Sequence, residues 1–392
     1  MSILSRPSDP RPSRFRSMPA KAADDGPFRI LVVDDSAVIR GLLTRALEAD
    51  PEVSVIASVG NGQMAISAVG RQQTDVVVLD IEMPVMDGLT ALPQILKASP
   101  KTKVIIASTL TKRNADVSLR ALREGASDYV TKPSSTRDLH AADAFKRDLL
   151  AKVKALGLAA RGRKPGPAFR ADGGRSTAAA DRTRQPARNA GPVQTVPMPP
   201  AFRPEVLAIG SSTGGPQALF TVLSNLGGSV KLPILLTQHM PATFTTILAE
   251  HLTRQTGIPA VEATDRMPVE AGRIHVAPGD YHMVVEGTSA GSIIRLSQAP
   301  PVNFCRPAVD PMMDSLVRIH GSRILSVILT GMGHDGLQGC RLVSGKGGAV
   351  IAQDEATSTV WGMPGAVAHA GIANAILPLG EIGPFLRRWV TR

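Results

Sequence analysis

The run Val206-Leu207-Ala208-Ile209-Gly210-Ser211-Ser212-Thr213-Gly214-Gly215-Pro216 changes character twice within eleven residues. Four apolar residues suit a buried strand. The glycines after them permit backbone angles that side chains forbid. Pro216 suits a first helical position. Strand, tight turn and helix form the repeating unit of an α/β fold. Gly210, Ser212 and Gly214 also have the G-x-S-x-G spacing that raises a serine hydroxyl at a strand end. The helix that follows aims its first backbone N–H groups at whatever Ser212 attacks. Ser211 stands as near as Ser212, and the glycine spacing favours Ser212. A glycine-rich loop of this kind can also cradle a phosphate.

Two more fragments place polar residues just past strand-like runs. Gln238-His239-Met240-Pro241 follows Pro233 to Thr237, and Thr330-Gly331-Met332-Gly333-His334-Asp335-Gly336 follows Arg323 to Leu329. In a parallel sheet these ends share one edge with Ser212. A hydroxyl needs an imidazole to take its proton, and the imidazole needs a carboxylate to orient it. His239 and Asp335 can supply both. His334 is a rival base, but it shares a loop with the orienting acid. The chain order serine, histidine, aspartate differs from the order in α/β-hydrolases.

The same alternation occupies residues 28 to about 156. Phe28–Val33, Val53–Val59, Asp75–Leu79, Val104–Ala107 and Asp128–Thr131 read as short buried strands, with amphipathic stretches such as Ala37–Glu48 and Asn114–Glu124 between them. Five such repeats predict a doubly wound parallel sheet, with ligands at the carboxyl ends of its strands. After Val206 the buried-strand candidates are Val206–Gly210, Pro233–Thr237, Arg323–Leu329 and Ala349–Ala352. Val261 to Gln298 reads as shorter, partly antiparallel strands, and the last helix is expected over Ile382–Val390.

Net charge is +11. Gly157 to Pro204 holds +7 of it and residues 1 to 26 hold +2, so about +2 remains elsewhere. The first of these segments reads as a flexible basic linker and the second as a disordered extension without a signal-peptide pattern. With the excess charge in low-complexity stretches and only 3% aromatic residues, base-stacking platforms are not expected. No apolar run reaches membrane-spanning length. Cys305 and Cys340 lack zinc-like spacing and read as free thiols. A cytoplasmic protein, with no nucleic-acid partner and no membrane insertion, is expected.

Asp34 and Asp35 end the first strand, Asp80 the third, Ser108 the fourth and Lys132 the fifth. Three carboxylates at one edge repel each other without a cation, and hard oxygen ligands suit Mg²⁺. Asp80 can then act as nucleophile toward a phosphoryl donor, with Lys132 and the metal offsetting charge.

Val32-Val33-Asp34-Asp35-Ser36, Leu79 to Gly88 (LDIEMPVMDG) and Lys132-Pro133 resemble the response-regulator receiver domain. The resemblance implies Asp80 as phosphoacceptor. It implies Mg²⁺ held by Asp35, Asp80 and the main-chain carbonyl of Glu82, with Asp34 supporting through water. It also implies Ser108 and Tyr129 as switch residues. The Ser212, His239 and Asp335 fragments resemble the catalytic domain of chemotaxis protein-glutamate methylesterases. So do Val276-Ala277-Pro278-Gly279, Asn303-x-x-Arg306-Pro307-x-x-Asp310 and Trp361-Gly362-Met363-Pro364. That resemblance assigns Ser212 as nucleophile, His239 as base and Asp335 as orienter. It places Thr213 and Met332 at the oxyanion region and Arg306 at the substrate cleft.

The fold class implied is α/β throughout: a five-stranded doubly wound receiver domain, a linker, and a C-terminal α/β domain with a mainly parallel sheet and a short antiparallel portion. The expected division is an extension at 1–26, a receiver at 27–148, a helix end and linker at 149–203, and a catalytic domain at 204–392. The expected activity is phosphorylation-activated hydrolysis of glutamate methyl esters on methyl-accepting chemoreceptors. Glutamine deamidation accompanies it, and a chemotaxis histidine kinase serves as phosphodonor. Two alternatives stand beside it: a nucleic-acid-binding response regulator using the basic linker, and an esterase acting on another methylated signalling protein.

Overall fold

The computed structural model describes residues 26–132, 139–162, 194–227 and 230–391. The N-terminal extension and the middle of the basic linker lie outside the described residues.

The first half runs β1 (Phe28–Val33), α1 (Ala37–Glu48), β2 (Val53–Val59), α2 (Gly62–Arg71), β3 (Val76–Asp80), α3 (Gly88–Ala98), β4 (Lys103–Ser108), α4 (Lys112–Arg123), β5 (Asp128–Thr131) and α5 (Leu139–Ala160). Its five strands lie parallel in the order β2-β1-β3-β4-β5. Every residue of β3 is buried, as a strand covered on both faces requires. Ser36, Asn61, Asp87 and Thr111 each cap a helix, their side-chain oxygens accepting the N–H three residues on. These caps start each helix just past a strand end or loop, which leaves Asp34, Asp35 and Asp80 gathered at the carboxyl edge.

The second half runs β6 (Val206–Ser211), α6 (Gly215–Ser224), β7 (Ile234–Gln238), α7 (Phe244–Thr256), β8 (Ala260–Glu262), β9 (Ile274–Val276), β10 (His282–Thr288) and β11 (Gly291–Ser297). It continues with α8 (Val309–His320), β12 (Ile324–Ile328), α9 (Leu337–Gly345), β13 (Ala349–Gln353), α10 (Met363–His369), β14 (Ala375–Leu377) and α11 (Leu379–Val390). Seven strands form one parallel sheet in the order β14-β13-β12-β6-β7-β9-β8. The antiparallel portion is narrower than the sequence suggests. Among the described strands β10 and β11 pair that way, with isolated antiparallel bridges at Pro268–Ile293 and Val302–Cys305, whereas β8 and β9 extend the parallel sheet. The last helix starts three residues before the expected Ile382, because Pro378 takes the cap position and Glu381 sits favourably in the first turn.

The halves share a packed boundary. Helix α4 lies on α6 and α7, and the Tyr129 ring stacks on Phe244 with centroids 4.5 Å apart. Gln217 on α6 donates to the main-chain carbonyls of Leu122 and Ala126. His251 on α7 pairs with Asp116 on α4 at 2.7 Å. Phe145 of α5 lies in one apolar cluster with Val360, against which Met332 packs.

Candidate functional site

β6 and β7 are in register so that Ser211 faces Gln238. Ser212 and His239 therefore stand one residue past the paired ends, side by side. The His239 N–H donates to the Ser211 carbonyl at 3.1 Å, and the Ser212 N–H donates to Thr330 at the end of β12 at 3.0 Å. Three adjacent strands thus deliver three loops to one rim.

The Ser211 hydroxyl is fully buried and donates to Gln238 Oε1 at 2.7 Å. The Gln238 amide in turn donates to the carbonyls of Ser212 and His239. Ser211 is thereby committed to bracing the loop, which leaves Ser212 as the serine at the rim. Gly214 has φ +75°, and a Cβ on Gly215 would lie 2.0 Å from Gln238 Oε1. Glycine is required at both positions for α6 to begin directly behind Ser212. Among the described residues, the N–H groups of Thr213 and Met332 have no acceptor. They are available to a developing negative charge.

His239 Nε2 lies 2.8 Å from Asp335 Oδ2. A carboxylate only accepts, so Nε2 carries the hydrogen, and when the ring is neutral Nδ1 holds the lone pair. Asp335 is buried, and its oxygens also accept from the N–H groups of Val309 (2.5 Å) and Asp310 (3.3 Å) at the start of α8, and from the Asn303 amide (2.9 Å). Burial alone would raise its pKa, but the His239 bond and these N–H groups hold it below the usual carboxylate range. Neighbouring Asp310 is pushed up by burial and by Asp335. His334 is exposed, and its side chain makes no hydrogen bond among the described residues.

At the other edge, ligand oxygens of Asp34, Asp35 and Asp80 all lie within 4.8 Å of one another. Lys132 Nζ is 2.6 Å from both Asp34 Oδ2 and Asp80 Oδ1. Burial raises the Asp80 pKa, Asp34 adds to the rise, and Lys132 opposes it. One lysine against three carboxylates fits a site completed by a divalent cation. The Glu82 side chain is turned to Arg113, 3.7 Å away, so only its main-chain carbonyl is left for such an ion. The Ser108 hydroxyl is buried 2.9 Å from that of Ser118 on α4.

Residues 207–386 match the CheB methylesterase family and residues 30–143 match the response regulator receiver domain. The protein-glutamate methylesterase/protein-glutamine glutaminase of group 2 operon of Rhodospirillum centenum is 59% identical over 377 residues, 93% of this chain and 95% of that protein. The chain belongs to the protein-glutamate methylesterase/protein-glutamine glutaminase family. An Azospirillum brasilense protein-glutamate methylesterase/protein-glutamine glutaminase is 57% identical, covering 99% of this chain and 98% of its own length. The catalytic domain of Thermotoga maritima CheB methylesterase is 38% identical with a TM-score of 0.46, covering 48% of this chain and 99% of that one.

The contacts of Arg306, Cys305 and Thr213 complete the surroundings of the rim. Arg306, expected at the substrate cleft, spends its guanidinium on Asp280 (2.5 and 3.0 Å) and the carbonyls of Gln298 and Ala299. It staples loops. Cys305, read as a free thiol, is one, and its Sγ lies 3.3 Å from His239 Nδ1. The available signal was its place inside the Asn303-x-x-Arg306 motif. Thr213 is buried, and its carbonyl accepts from the Thr330 hydroxyl at 2.9 Å.

Proposed function

We propose that this chain is a phosphorylation-activated chemotaxis methylesterase whose nucleophile is Ser212. The observation that carries the reading is the His239–Asp335 bond at a rim shared with the Ser212 loop. The Ser212 oxygen attacks the γ-carbonyl carbon of a methylated glutamate on a chemoreceptor. Its proton passes to His239 Nδ1, since Nε2 is engaged with Asp335. The N–H groups of Thr213 and Met332 hold the oxyanion, each such donor being worth about 10²–10³ in rate. Collapse breaks the C–O bond, and His239 returns the proton so that methanol leaves. Water then attacks the acyl-serine and releases glutamate. A glutamine side chain follows the same course and loses ammonia.

Asp80 accepts a phosphoryl group from a chemotaxis histidine kinase. Mg²⁺ held by Asp35, Asp80 and the Glu82 carbonyl, with Asp34 acting through water, would offset the charge brought in. The added −1.5 to −2 charges attract the Ser108 hydroxyl away from Ser118, about the scale of change that biases a packed surface. Helix α4 carries Ser118 and also the contacts to α6 and α7, the helices that open behind Ser212 and His239. The unphosphorylated receiver holds those helices and, through the cluster with Val360, the Met332 loop. Among the described residues no helix is long and apolar enough to cross a membrane.

The test is methanol release from membranes carrying methylated receptor, with and without a small phosphodonor. Ser212→Ala is expected to lose about 10⁴-fold or more, and Asp80→Asn to keep basal release while losing the response to phosphodonor. Undiminished release by the serine variant refutes the nucleophile.

A further inference from the structure

We propose that Cys305 is a competing partner of the catalytic base and a modification site for soft electrophiles, its sulfur pairing with His239 Nδ1 as thiolate and imidazolium. The inference rests on the reading of His239 as the base. The sulfur is one end of a chain, Cys305 Sγ to His239 Nδ1 at 3.3 Å and His239 Nε2 to Asp335 Oδ2 at 2.8 Å. Cysteine, histidine and carboxylate in this order generate thiolate in hydrolases that use sulfur. Nδ1 is also the only ring atom left for Ser212, whose hydroxyl has no hydrogen bond among the described residues. One nitrogen therefore serves either the thiol or the hydroxyl.

The backbone is shaped to deliver the sulfur. Val302 and Cys305 exchange N–H···O bonds of 3.1 and 2.9 Å across Asn303 and Phe304. Those two residues have φ of +51° and +63°, a turn that normally takes asparagine and glycine. The Asn303 amide pins it to Asp335 and Asp310, the acids on the far side of the ring. Phe304, the other turn residue, is 76% exposed, and Cys305 beside it is partly exposed.

Four charged groups surround the pair. Asp335 holds the opposite ring edge, Asp310 stands behind Asn303, and Arg306 is turned away onto Asp280. Burial works against a charged imidazole, yet the sulfur and Asp335 push His239 up to about 10. Cys340 provides a contrast: burial pushes its thiol up to about 12.

The step is a proton transfer from Cys305 S–H to Nδ1, with no other bond changed. While the pair persists, no lone pair remains for Ser212. Iodoacetamide captures it: the thiolate electron pair forms the S–C bond, the C–I bond breaks and iodide leaves.

The experiment uses the full chain and reads labelling by mass spectrometry against pH. Cys305 is expected to label in the wild-type chain, and His239→Ala to slow that labelling about tenfold or more. Cys305→Ala is expected to move the acid limb of methanol release to lower pH, with a gain at pH 7 of about tenfold or more. Labelling indifferent to His239, or a Cys305→Ala profile that superimposes on wild type, overturns the proposal. Labelling does not use Ser212. If labelling depends on His239 but Ser212→Ala still releases methanol, the pair stands and the serine assignment falls. If labelling ignores His239 while Ser212→Ala is inert, the pair falls and the triad stands.

Discussion

Asn303 shows how much a single amide can carry in this rim. Its Nδ2 donates to Asp335 at 2.9 Å and to Asp310 at 3.1 Å. Two carboxylates so close repel, and the amide between them offsets part of that repulsion. Asp310 already holds its proton more tightly than usual because of burial and Asp335. Removing the amide leaves Asp335 sharing a proton with Asp310 and orienting His239 less well. A hydrogen bond to a charged group is worth about 1.5–3 kcal/mol, so Asn303→Ala should lower kcat about 10- to 100-fold. Because the substrate does not touch this amide in the proposed reaction, KM should stay near wild type. Equal losses in kcat and binding, from steady-state methanol release, would contradict a positioning role. At this scale the sequence is informative where chemistry follows position in the chain. Ser212, His239 and Asp335 stand just past apolar runs, and any parallel sheet brings such ends to one edge. Arg306 and Cys305 differ, because a motif fixes where a residue lies and not which way it faces. Cys305 is 66 residues from the histidine it meets, so nothing local announces the contact.

Secondary elements add a second kind of information. The run Phe28–Val33 is legible at its full length because a strand covered on both faces leaves an almost uninterrupted apolar stretch, and the edge strand Val53–Val59, mostly half-buried, is legible through its β-branched residues. β8, β9 and β14 have three residues each and leave no such period, which is why the edges of the larger sheet are harder to read. The end of α5 is also obscure in sequence, since it fades into a basic segment. The structure explains its role. Arg161, just past α5, places Nη2 2.7 Å from Asp75, which also pairs with Arg29 on β1. One carboxylate thus ties the last helix to the strand edge. Burial would raise the Asp75 pKa, but Arg161 and Arg29 hold it below the usual range. A depressed native pKa contributes stability that is complete above the unfolded carboxylate range near about 4 and is lost as pH falls through it. Asp75→Asn removes the carboxylate that Arg29 and Arg161 share, while Arg161 keeps the carbonyls of Gly26 and Pro27. The expected loss is about 1–3 kcal/mol at pH 7 and smaller at pH 3, because the contribution fades as pH falls below the unfolded carboxylate range toward the lower folded-state value. Chemical denaturation of both proteins at the two pH values checks it, and a loss that persists undiminished in acid would contradict the tie.

At the scale of the whole molecule, the boundary between halves is built from residues that no periodicity connects. Asp116, Leu122, Ala126 and Tyr129 come from one half, and Gln217, Phe244 and His251 from the other. Each side alone reads as an ordinary helix or strand surface. Together they place α4 against α6 and α7, the two helices that begin behind Ser212 and His239. If this docking restrains the rim, weakening it should mimic phosphorylation. Asp116→Ala removes the partner of His251, and Gln217→Ala removes the donor to Leu122 and Ala126. Asp116 is 41% exposed, so its substitution leaves no cavity in either core. Buried hydrogen bonds of this kind are worth about 1 kcal/mol each, more when a charge is involved. The double variant removes three such bonds and should therefore favour the undocked state by about 3 kcal/mol, which is about 150-fold in population. Basal methanol release should rise by up to that factor without phosphodonor, and the further gain on adding phosphodonor should shrink correspondingly, because one equilibrium is being shifted by two routes. Combining these substitutions with Asp80→Asn should keep the raised basal rate. A double variant with wild-type basal release and an undiminished response would show that α4 docking does not restrain the serine rim.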